Sequence, residues 1–118
     1  ASLRAQMRAF VSSGGEPNAA VLDPGLGFGK TVEQNIDLIR RTTELLALGR
    51  PILSGLSRKS FVGRVSLERD SEPAERGPGT AAFTALHRAA GASIFRVHDV
   101  SATIQALRAA DAIARTAL

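Results

Sequence analysis

Apolar residues follow two spacings along the chain, and the two spacings alternate. Leu3, Met7, Phe10 and Val11 recur every three or four residues, which predicts a helix over residues 2–13 with one apolar face. Other apolar residues form short runs bounded by glycine or proline, a pattern typical of buried parallel strands. These predicted strands cover residues 19–22, 52–54 and 94–97.

Each predicted strand is followed by a predicted helix. Thr31 and Gln34 have the spacing of a capping box, which predicts that a helix begins there. Thr80 and Ser101 are predicted to cap two further helices, and residues 61–65 are predicted to form a single helical turn. The inner residues of the first of these helices are predicted to be Val32, Ile36, Ile39, Thr43 and Leu46.

The remaining segments complete an alternating order of helices and strands. His87 lies on the helix predicted over residues 80–90, and we interpret it as a surface histidine. Residues 66–79 are polar, and a solvated connector is preferred over a mobile lid. The strands begin about thirty to forty residues apart, the repeat of a (β/α) barrel. The pattern therefore predicts an α/β fold with three parallel strands and about four helices.

Composition and charge narrow the classes of function. The chain has 118 residues and no cysteine, which excludes disulfides, thiolate metal sites and a cysteine nucleophile. Its net charge is +4, but the basic residues are scattered and there is no Trp or Tyr. A basic surface that serves anionic small molecules explains this charge without nucleic acid. No apolar run is long enough to cross a bilayer, and we expect a cytoplasmic protein with no membrane partner.

Polar chemistry follows all three predicted strands. A glycine-rich loop, Asp23-Pro-Gly-Leu-Gly-Phe-Gly-Lys30, comes after the first strand, and Ser57-Arg-Lys-Ser60 comes after the second. Arg96, His98 and Asp99 lie at the end of the third. In α/β proteins, ligand sites form at the carboxyl ends of parallel strands.

Each segment alone also has a simpler interpretation. The glycine-rich loop is compatible with a flexible connector, and Ser57-Arg-Lys-Ser60 with a solvated basic turn. Arg96 and Asp99 are compatible with an ion pair that closes a turn. Phe28 is compatible with core packing. Polar chemistry directly after one strand could arise by chance, but its occurrence after all three strands is much less probable, so we favour a shared ligand site.

In this order, the three motifs resemble those that end the last three strands of the dihydropteroate synthase family. The first motif is shared with related pterin-binding methyltransferases, whereas Ser57-Arg-Lys-Ser60 together with Arg96-Val-His98 is the distinguishing combination. The resemblance runs over nearly the whole chain but covers only the carboxyl-terminal half of such an enzyme. It implies the carboxyl-terminal half of a TIM-type (β/α)8 barrel, with residues 1–118 as a single partial pterin-binding domain.

Dihydropteroate synthases condense 6-hydroxymethyl-7,8-dihydropterin pyrophosphate with p-aminobenzoate, release pyrophosphate and are inhibited by sulfonamides. The resemblance implies that Asp23, Gly55, Lys59 and Arg96 bind the pterin and that Lys59 is also the catalytic residue. A carboxylate such as that of Asp23 accepts two hydrogen bonds from an amino-pyrimidinone edge.

The other two parts of the reaction have candidate residues as well. Arg96 and His98 alternate along the strand end, so both are expected on one side, where they suit the leaving pyrophosphate. The implied residues for p-aminobenzoate are Phe28, Ser57, Arg58 and Ser60.

Several features of the family have no match in this chain. The asparagine that ligates magnesium, a mobile Thr-Pro-Asp-Ser loop and two residues that finish the pterin pocket are absent. Mg²⁺ is thus implied by the family, but no metal ligand is expected here. We expect a fragment that is inactive alone and that forms a homo-oligomer or joins a missing amino-terminal half. The alternatives are a non-catalytic pterin- or phosphate-binding module and a purely structural half-barrel.

Overall fold

The structure is a computed structural model that describes residues 2–116, and it has an α/β fold rich in helix. The α-helices are α1 (Ser2–Ser12), α2 (Val32–Arg40), α3 (Thr42–Leu45), α4 (Ser60–Ser66), α5 (Gly77–Ala90) and α6 (Val100–Thr116). The strands are β1 (Leu53–Ser54) and β2 (Ile94–Phe95), and 3₁₀ turns occupy Pro17–Ala19, Leu46–Leu48 and Pro73–Arg76.

The sheet is parallel and smaller than predicted. Strands β1 and β2 pair in the register Leu53 to Ile94 and Ser54 to Phe95. The first predicted strand contributes a single parallel bridge, from Leu22 to Ile52, so the described part of the chain has two strands and not three. The cause is local, because a 3₁₀ turn ends at residue 19 and Pro24, which has no N–H, follows shortly.

The two faces of the sheet differ in burial. Leu22, Ile52 and Ser54 point to one face and are buried beneath the helices. Val21 and Ile94 point to the opposite face, and they are 46% and 39% exposed. The second face of the sheet is therefore partly open over residues 2–116.

The helix count and two helix starts also differ from the predictions. There are six α-helices over residues 2–116, because residues 60–66 form a complete helix and the helix after Thr31 breaks at Arg41. Helix α5 begins at Gly77, before Thr80. In α6 the cap is Asp99 and not Ser101, since the Ala102 N–H donates to Asp99 Oδ1 at 3.0 Å. The capping box of Thr31 and Gln34 is confirmed.

The inner face of α2 and α3 differs from the predicted one. The Thr42 hydroxyl donates to the Leu38 carbonyl at 3.2 Å, a bond of the kind that bends helices. Asn35 and Thr42 are buried, whereas the predicted inner residues Ile36 and Leu46 are each 40% exposed. Thr43 is exposed as well.

His87 is the clearest error of the sequence interpretation, because the structure buries it completely. Its Nδ1 lies 2.8 Å from Ser54 Oγ of β1 and its Nε2 lies 3.0 Å from Thr42 Oγ1 of α3. Since the Thr42 hydroxyl already donates to a carbonyl, it accepts from His87 Nε2, and Ser54 donates to Nδ1. The ring is thus held neutral between three elements.

The apolar core lies directly beneath the loops that follow the strands. It is a cluster of buried side chains that come from two of these loops, from α2 and from α4. Its members are Leu26, Ile39, Leu56, Phe61 and Val62. Phe61 also meets Phe83 of α5 edge to face, with ring centroids 5.7 Å apart. None of the helices described over residues 2–116 is long and apolar enough to cross a membrane.

The segment between α4 and α5 is held by its own charges. Arg64 pairs with Asp70 at 2.6 Å, and Arg69 pairs with Glu75 at 2.9 Å. The Glu72 N–H donates to Glu75 Oε2 at 2.8 Å and opens the 3₁₀ turn. These contacts favour an ordered connector over a mobile lid.

We expect His87 to make the protein lose stability in mild acid. Burial lowers the pKa of His87 to about 4, whereas an unfolded histidine has a pKa of about 6.5. Between these values the unfolded chain binds a proton that the folded chain refuses, so stability falls as the pH falls. The loss from pH 6.5 to pH 4 should be on the order of 3 kcal/mol.

Urea unfolding of the wild type and of His87→Gln across this pH range measures the effect. The wild type should lose stability more steeply than His87→Gln, while His98→Gln, the matched change at the other histidine, should follow the wild type. Parallel profiles for the wild type and His87→Gln would show that His87 is not held neutral.

We also expect the open face of the sheet to be covered by self-association. Val21 and Ile94 expose apolar surface on a face that parallel sheets normally bury, and the outer strand edges invite pairing with another chain. Sedimentation equilibrium should give a mass above 12.4 kDa that depends on concentration. A concentration-independent monomer with a cooperative thermal melt would contradict this expectation.

Candidate ligand site at the strand ends

Parallel pairing brings the ends of three chain segments to one edge of the sheet. Asp23 follows the bridge at Leu22, Gly55 follows β1, and Arg96 follows β2. Arg96 Nη1 lies 3.4 Å from Asp23 Oδ2. The same guanidinium group lies against Gly55 so closely that a Cβ atom there would overlap it. Three of the predicted site residues therefore form one contiguous group.

The glycine-rich loop after Leu22 has a defined shape. Asp23 Oδ1 accepts from the Gly25 N–H at 2.9 Å, and Lys30 Nζ donates to the Gly25 carbonyl at 2.8 Å. The buried Asn35 side chain of α2 accepts from the Gly27 N–H at 2.7 Å. A flexible connector would not engage three side chains in this way, so that alternative is not favoured.

Lys59 extends from the second loop across to the first. Its Nζ donates to the Leu26 carbonyl at 2.5 Å and lies 3.8 Å from the centre of the Phe28 ring. The path is open only because residue 27 is glycine, where a Cβ would lie 2.5 Å from Lys59 Cδ and where φ is +84°. Phe28 is 65% exposed, so its ring packs on the Lys59 ammonium group and not in the core.

The charge of Lys59 is made less favourable by its surroundings. Burial is the main cause that lowers the pKa of Lys59, and the positive charge of Arg96, followed by that of Lys30, acts in the same direction. Asp23 opposes these effects by favouring the ammonium form. A lysine of this kind gains from an anionic or electron-rich ligand that would offset its desolvation.

Ser57 and His98 connect the loops after β1 and β2. Ser57 Oγ lies 2.8 Å from His98 Nδ1 and accepts from the His98 backbone N–H at 3.3 Å. Ser57 is buried, whereas His98, Arg58 and Ser60 are exposed. The Ser57 hydroxyl group thus orients the imidazole ring, and the other three predicted residues face solvent.

Asp99 has a structural role next to the site. Its Oδ1 accepts from the Ala102 N–H and its carbonyl accepts from the Thr103 hydroxyl at 2.7 Å, both in the first turn of α6. Over residues 2–116, the ion pair of Arg96 is with Asp23 and not with Asp99. The interpretation of Arg96 and Asp99 as an ion pair that closes a turn is therefore wrong.

Three polar residues that hold the site were missed from the sequence. Asn35 supports the glycine-rich loop, while Arg76 and Thr80 bond to the backbone of Arg58. Asn35 carried one usable signal, since an amide at the fourth residue of a helix after a glycine-rich loop is placed to reach back to it. Arg76 lies in a polar segment that gave no signal.

No candidate metal centre accompanies these residues. Over residues 2–116, no group of three or more His, Cys, Asp or Glu side chains is arranged to hold a metal ion. The residues present therefore do not fit a magnesium site of their own.

The fold is α/β with polar side chains gathered at the strand ends, and comparison with known families identifies the class of protein. The family described as pterin binding enzyme matches residues 1–98, and the chain belongs to this family. Curated relatives of this chain include dihydropteroate synthases. The enzyme of a Synechocystis strain is 50% identical over 99 residues, which is 84% of this chain and 34% of that protein. The enzyme of Neisseria meningitidis serogroup C is 45% identical over 112 residues, which is 94% of this chain and 39% of that protein.

Solved structures agree with these relatives. Dihydropteroate synthase from Xanthomonas albilineans in complex with 7,8-dihydropteroate has a TM-score of 0.88 and 37% identity, over 94% of this chain and 42% of that chain. The Yersinia pestis enzyme in complex with a sulfonamide drug has a TM-score of 0.87 and 36% identity, over 98% of this chain and 40% of that chain. The resemblance to dihydropteroate synthase is confirmed, and the chain spans about a third to two fifths of such proteins.

Proposed function

We propose that this chain forms the carboxyl-terminal half of a dihydropteroate synthase of folate biosynthesis. In that reaction the amino group of p-aminobenzoate displaces pyrophosphate from the methylene carbon of 6-hydroxymethyl-7,8-dihydropterin pyrophosphate. The observation that carries the proposal is the convergence of Asp23, Gly55, Lys59 and Arg96 at one sheet edge, in a chain whose curated relatives are dihydropteroate synthases.

The half-barrel architecture is supported by the open face of the sheet. Leu22, β1 and β2 are adjacent and parallel, and the face that carries Leu22, Ile52 and Ser54 is buried. Val21, Leu53 and Ile94 line the other face, which in a closed barrel would be the filled interior. A second copy of this chain or an amino-terminal half of the same enzyme would cover this face.

Asp23, Lys59 and Arg96 would together bind the pterin ring. Oδ1 of Asp23 already accepts from a backbone N–H, and Oδ2 lies within reach of Arg96, so the carboxylate has a fixed direction. Lys59 would donate to the ring oxygen or nitrogen, replacing its bond to the Leu26 carbonyl. Gly55 would let the Arg96 guanidinium lie flat beside the ring.

Arg96 and His98 would receive the leaving pyrophosphate at the amino terminus of α6. Arginine binds phosphate oxygens in pairs, and the α6 backbone N–H groups add positive partial charge. The Ser57 hydroxyl would keep the His98 ring in position while it does so. The loops after the last two strands are the usual phosphate site of this barrel fold.

Phe28, Arg58 and Ser60 would form the site for p-aminobenzoate. The exposed Phe28 ring offers a stacking surface next to Lys59, and Ser60 begins α4 beside it. Ser57 would act through His98, because its buried hydroxyl group is already hydrogen-bonded.

Two further expectations belong to the whole enzyme. Magnesium, which synthases of this kind use with pyrophosphate, would have its protein ligand outside this chain. A cytoplasmic location, with pterin pyrophosphate and p-aminobenzoate as partners and neither nucleic acid nor membrane, also stays a prediction.

A second candidate is a pterin-binding module without turnover. It is favoured by the lack of a group of metal-binding side chains over residues 2–116. Calorimetry with pterin pyrophosphate separates both candidates from a purely structural half-barrel, and turnover with both substrates separates the enzyme from the module.

Lys59→Ala should remove pterin pyrophosphate binding without unfolding the protein. Its ammonium group lies in a loop, so the free energy of unfolding should change by about 1 kcal/mol or less. Lys59→Met keeps the packing on Gly27 and Phe28 but not the charge, and it should lose affinity to the same degree. Calorimetry with pterin pyrophosphate measures the affinity. If both variants bound it as tightly as the wild type does, Lys59 would not be part of the site.

His98→Ala and Arg96→Ala should weaken pterin pyrophosphate binding more than binding of the pterin without phosphate. Each lost charge-assisted bond should cost about 1.5–3 kcal/mol. Calorimetry with both ligands gives the comparison, and Arg40→Ala, an exposed change on α2, is the control. Equal weakening for both ligands would show that these residues do not hold the phosphate.

The 118-residue chain alone should show no synthase turnover even with magnesium. The reason is that the metal ligand and part of the pterin pocket have no counterpart in it. Release of pyrophosphate in the presence of both substrates is the assay, and a complete homologous synthase is the positive control. Turnover by the purified chain would refute this expectation.

A further inference from the structure

Arg58 has a backbone conformation that a residue with a side chain seldom adopts. Its φ is +59°, in the left-handed region that favours glycine. The Lys59 N–H donates to the Leu56 carbonyl at 3.1 Å and closes a turn, in which Arg58 is the third residue. Turns with a positive φ at that position normally place glycine there, so other contacts must hold the Arg58 peptide.

Two hydrogen bonds hold the backbone of Arg58, one from α5 and one from the 3₁₀ turn Pro73–Arg76 that precedes it. The Arg58 N–H donates to Thr80 Oγ1 at 3.1 Å, and Arg76 Nη1 donates to the Arg58 carbonyl at 2.8 Å. The two bonds engage the backbone N–H and the backbone carbonyl of Arg58. Its backbone conformation is therefore set by tertiary contacts.

The Arg76 side chain is itself fixed in place. Its Nε donates to Ser71 Oγ at 2.9 Å, and its Nη2 donates to the Ser71 carbonyl. The side chain also lies against α4, where a Cβ at Gly63 would be 2.9 Å from Arg76 Nε. All three guanidinium nitrogens are engaged, which a lysine at this position would not reproduce.

The turn that Arg76 holds carries two residues of the ligand site. Lys59 follows Arg58 in the sequence and donates to the Leu26 carbonyl. Ser57 precedes Arg58 and orients His98. A change in the Arg58 peptide would redirect both neighbours, because the backbone dihedral angles of one residue set the direction of the next.

We propose that Arg76 is a positioning residue that holds the Arg58 carbonyl and thereby directs Lys59 and Ser57 into the strand-end site, with Thr80 as its partner. The inference rests on the proposed function only for the identity of the ligand. It assigns a role in the site to the polar connector before α5, whose Arg76 bonds to the Arg58 carbonyl and to Ser71.

The competing explanation is that Arg76 only attaches the connector to the body of the protein. Glycine at position 58 separates the two roles, because glycine adopts a positive φ without strain. If Arg76 acts by holding the turn, its loss should matter much less in an Arg58→Gly background. If it acts only as an attachment, its loss should matter equally in both backgrounds.

The first experiment follows Lys59 directly by NMR titration of its side-chain amine in the 118-residue chain. Arg76→Met should raise the pKa of Lys59 toward the ordinary lysine value, since the loosened turn lets the ammonium group reach water. Arg76→Met added to Arg58→Gly should produce little further change. Arg69→Met is the matched control, because Arg69 lies in the same connector and pairs with Glu75 on the surface.

The second experiment measures affinity for pterin pyrophosphate in the same variants. Arg76→Met alone should bind pterin pyrophosphate about tenfold more weakly than the wild type does. The double variant that carries Arg58→Gly and Arg76→Met should bind less than about twofold more weakly than Arg58→Gly alone. Arg69→Met should bind as the wild type does. Thr80→Val, which removes the other bond to Arg58, should act in the same direction as Arg76→Met, and it replaces that variant should the latter not fold.

The outcomes separate this inference from the proposed function. Absence of pterin pyrophosphate binding by the wild type would refute the function, while the titration of Lys59 would still test Arg76. An unchanged Lys59 titration in both Arg76→Met and Thr80→Val would overturn the inference. Equal effects of Arg76→Met in the two backgrounds would overturn it as well and leave Arg76 as an attachment of the connector.

Discussion

The parallel hydrogen bonds that join Leu22, β1 and β2 are the constraint on which the other features depend. They are few, but they place the carboxyl ends of three chain segments side by side. Residues far apart in sequence, such as Asp23 and Arg96, become neighbours for this reason alone. Leu22, Ile52 and Ser54 are buried on one face of this small sheet, whereas Val21 and Ile94 are partly exposed on the other.

The site is built largely from side chains that bond to the backbone of another loop. Lys59 donates to the Leu26 carbonyl and Arg76 donates to the Arg58 carbonyl, while the Asn35 side chain accepts from the Gly27 N–H. Such bonds define the shape of loops that have no regular secondary structure, because each satisfies a backbone N–H or carbonyl group that has no backbone partner in the loop. They also explain why Gly27 and Gly55 are needed, since side chains at either position would occupy the space of Lys59 or Arg96.

A second polar layer lies behind the sheet. Ser54, His87 and Thr42 join β1, α5 and α3 in a buried network with its hydrogen bonds satisfied. This network aligns the elements that carry the strand ends, whereas Asp23 and Arg96 pair with each other on the opposite face of the sheet. The two layers share β1, where Ser54 points backward and Gly55 lies against Arg96.

The sequence by itself determined the order of elements, the three strand-end motifs and the family, because these depend on local spacing and on residue chemistry. The capping box of Thr31 and a helical turn over residues 61–65 were readable for the same reason, although the helix there spans Ser60–Ser66. The extent of the first strand, the burial of His87 and the contacts of Arg76 were decided only by tertiary structure. A polar residue in a helix looks the same in sequence whether it faces water or a hydroxyl group from another element. Only the packing of α5 against β1 and α3 distinguishes the two cases, since burial is tolerated wherever a partner satisfies the polar atoms.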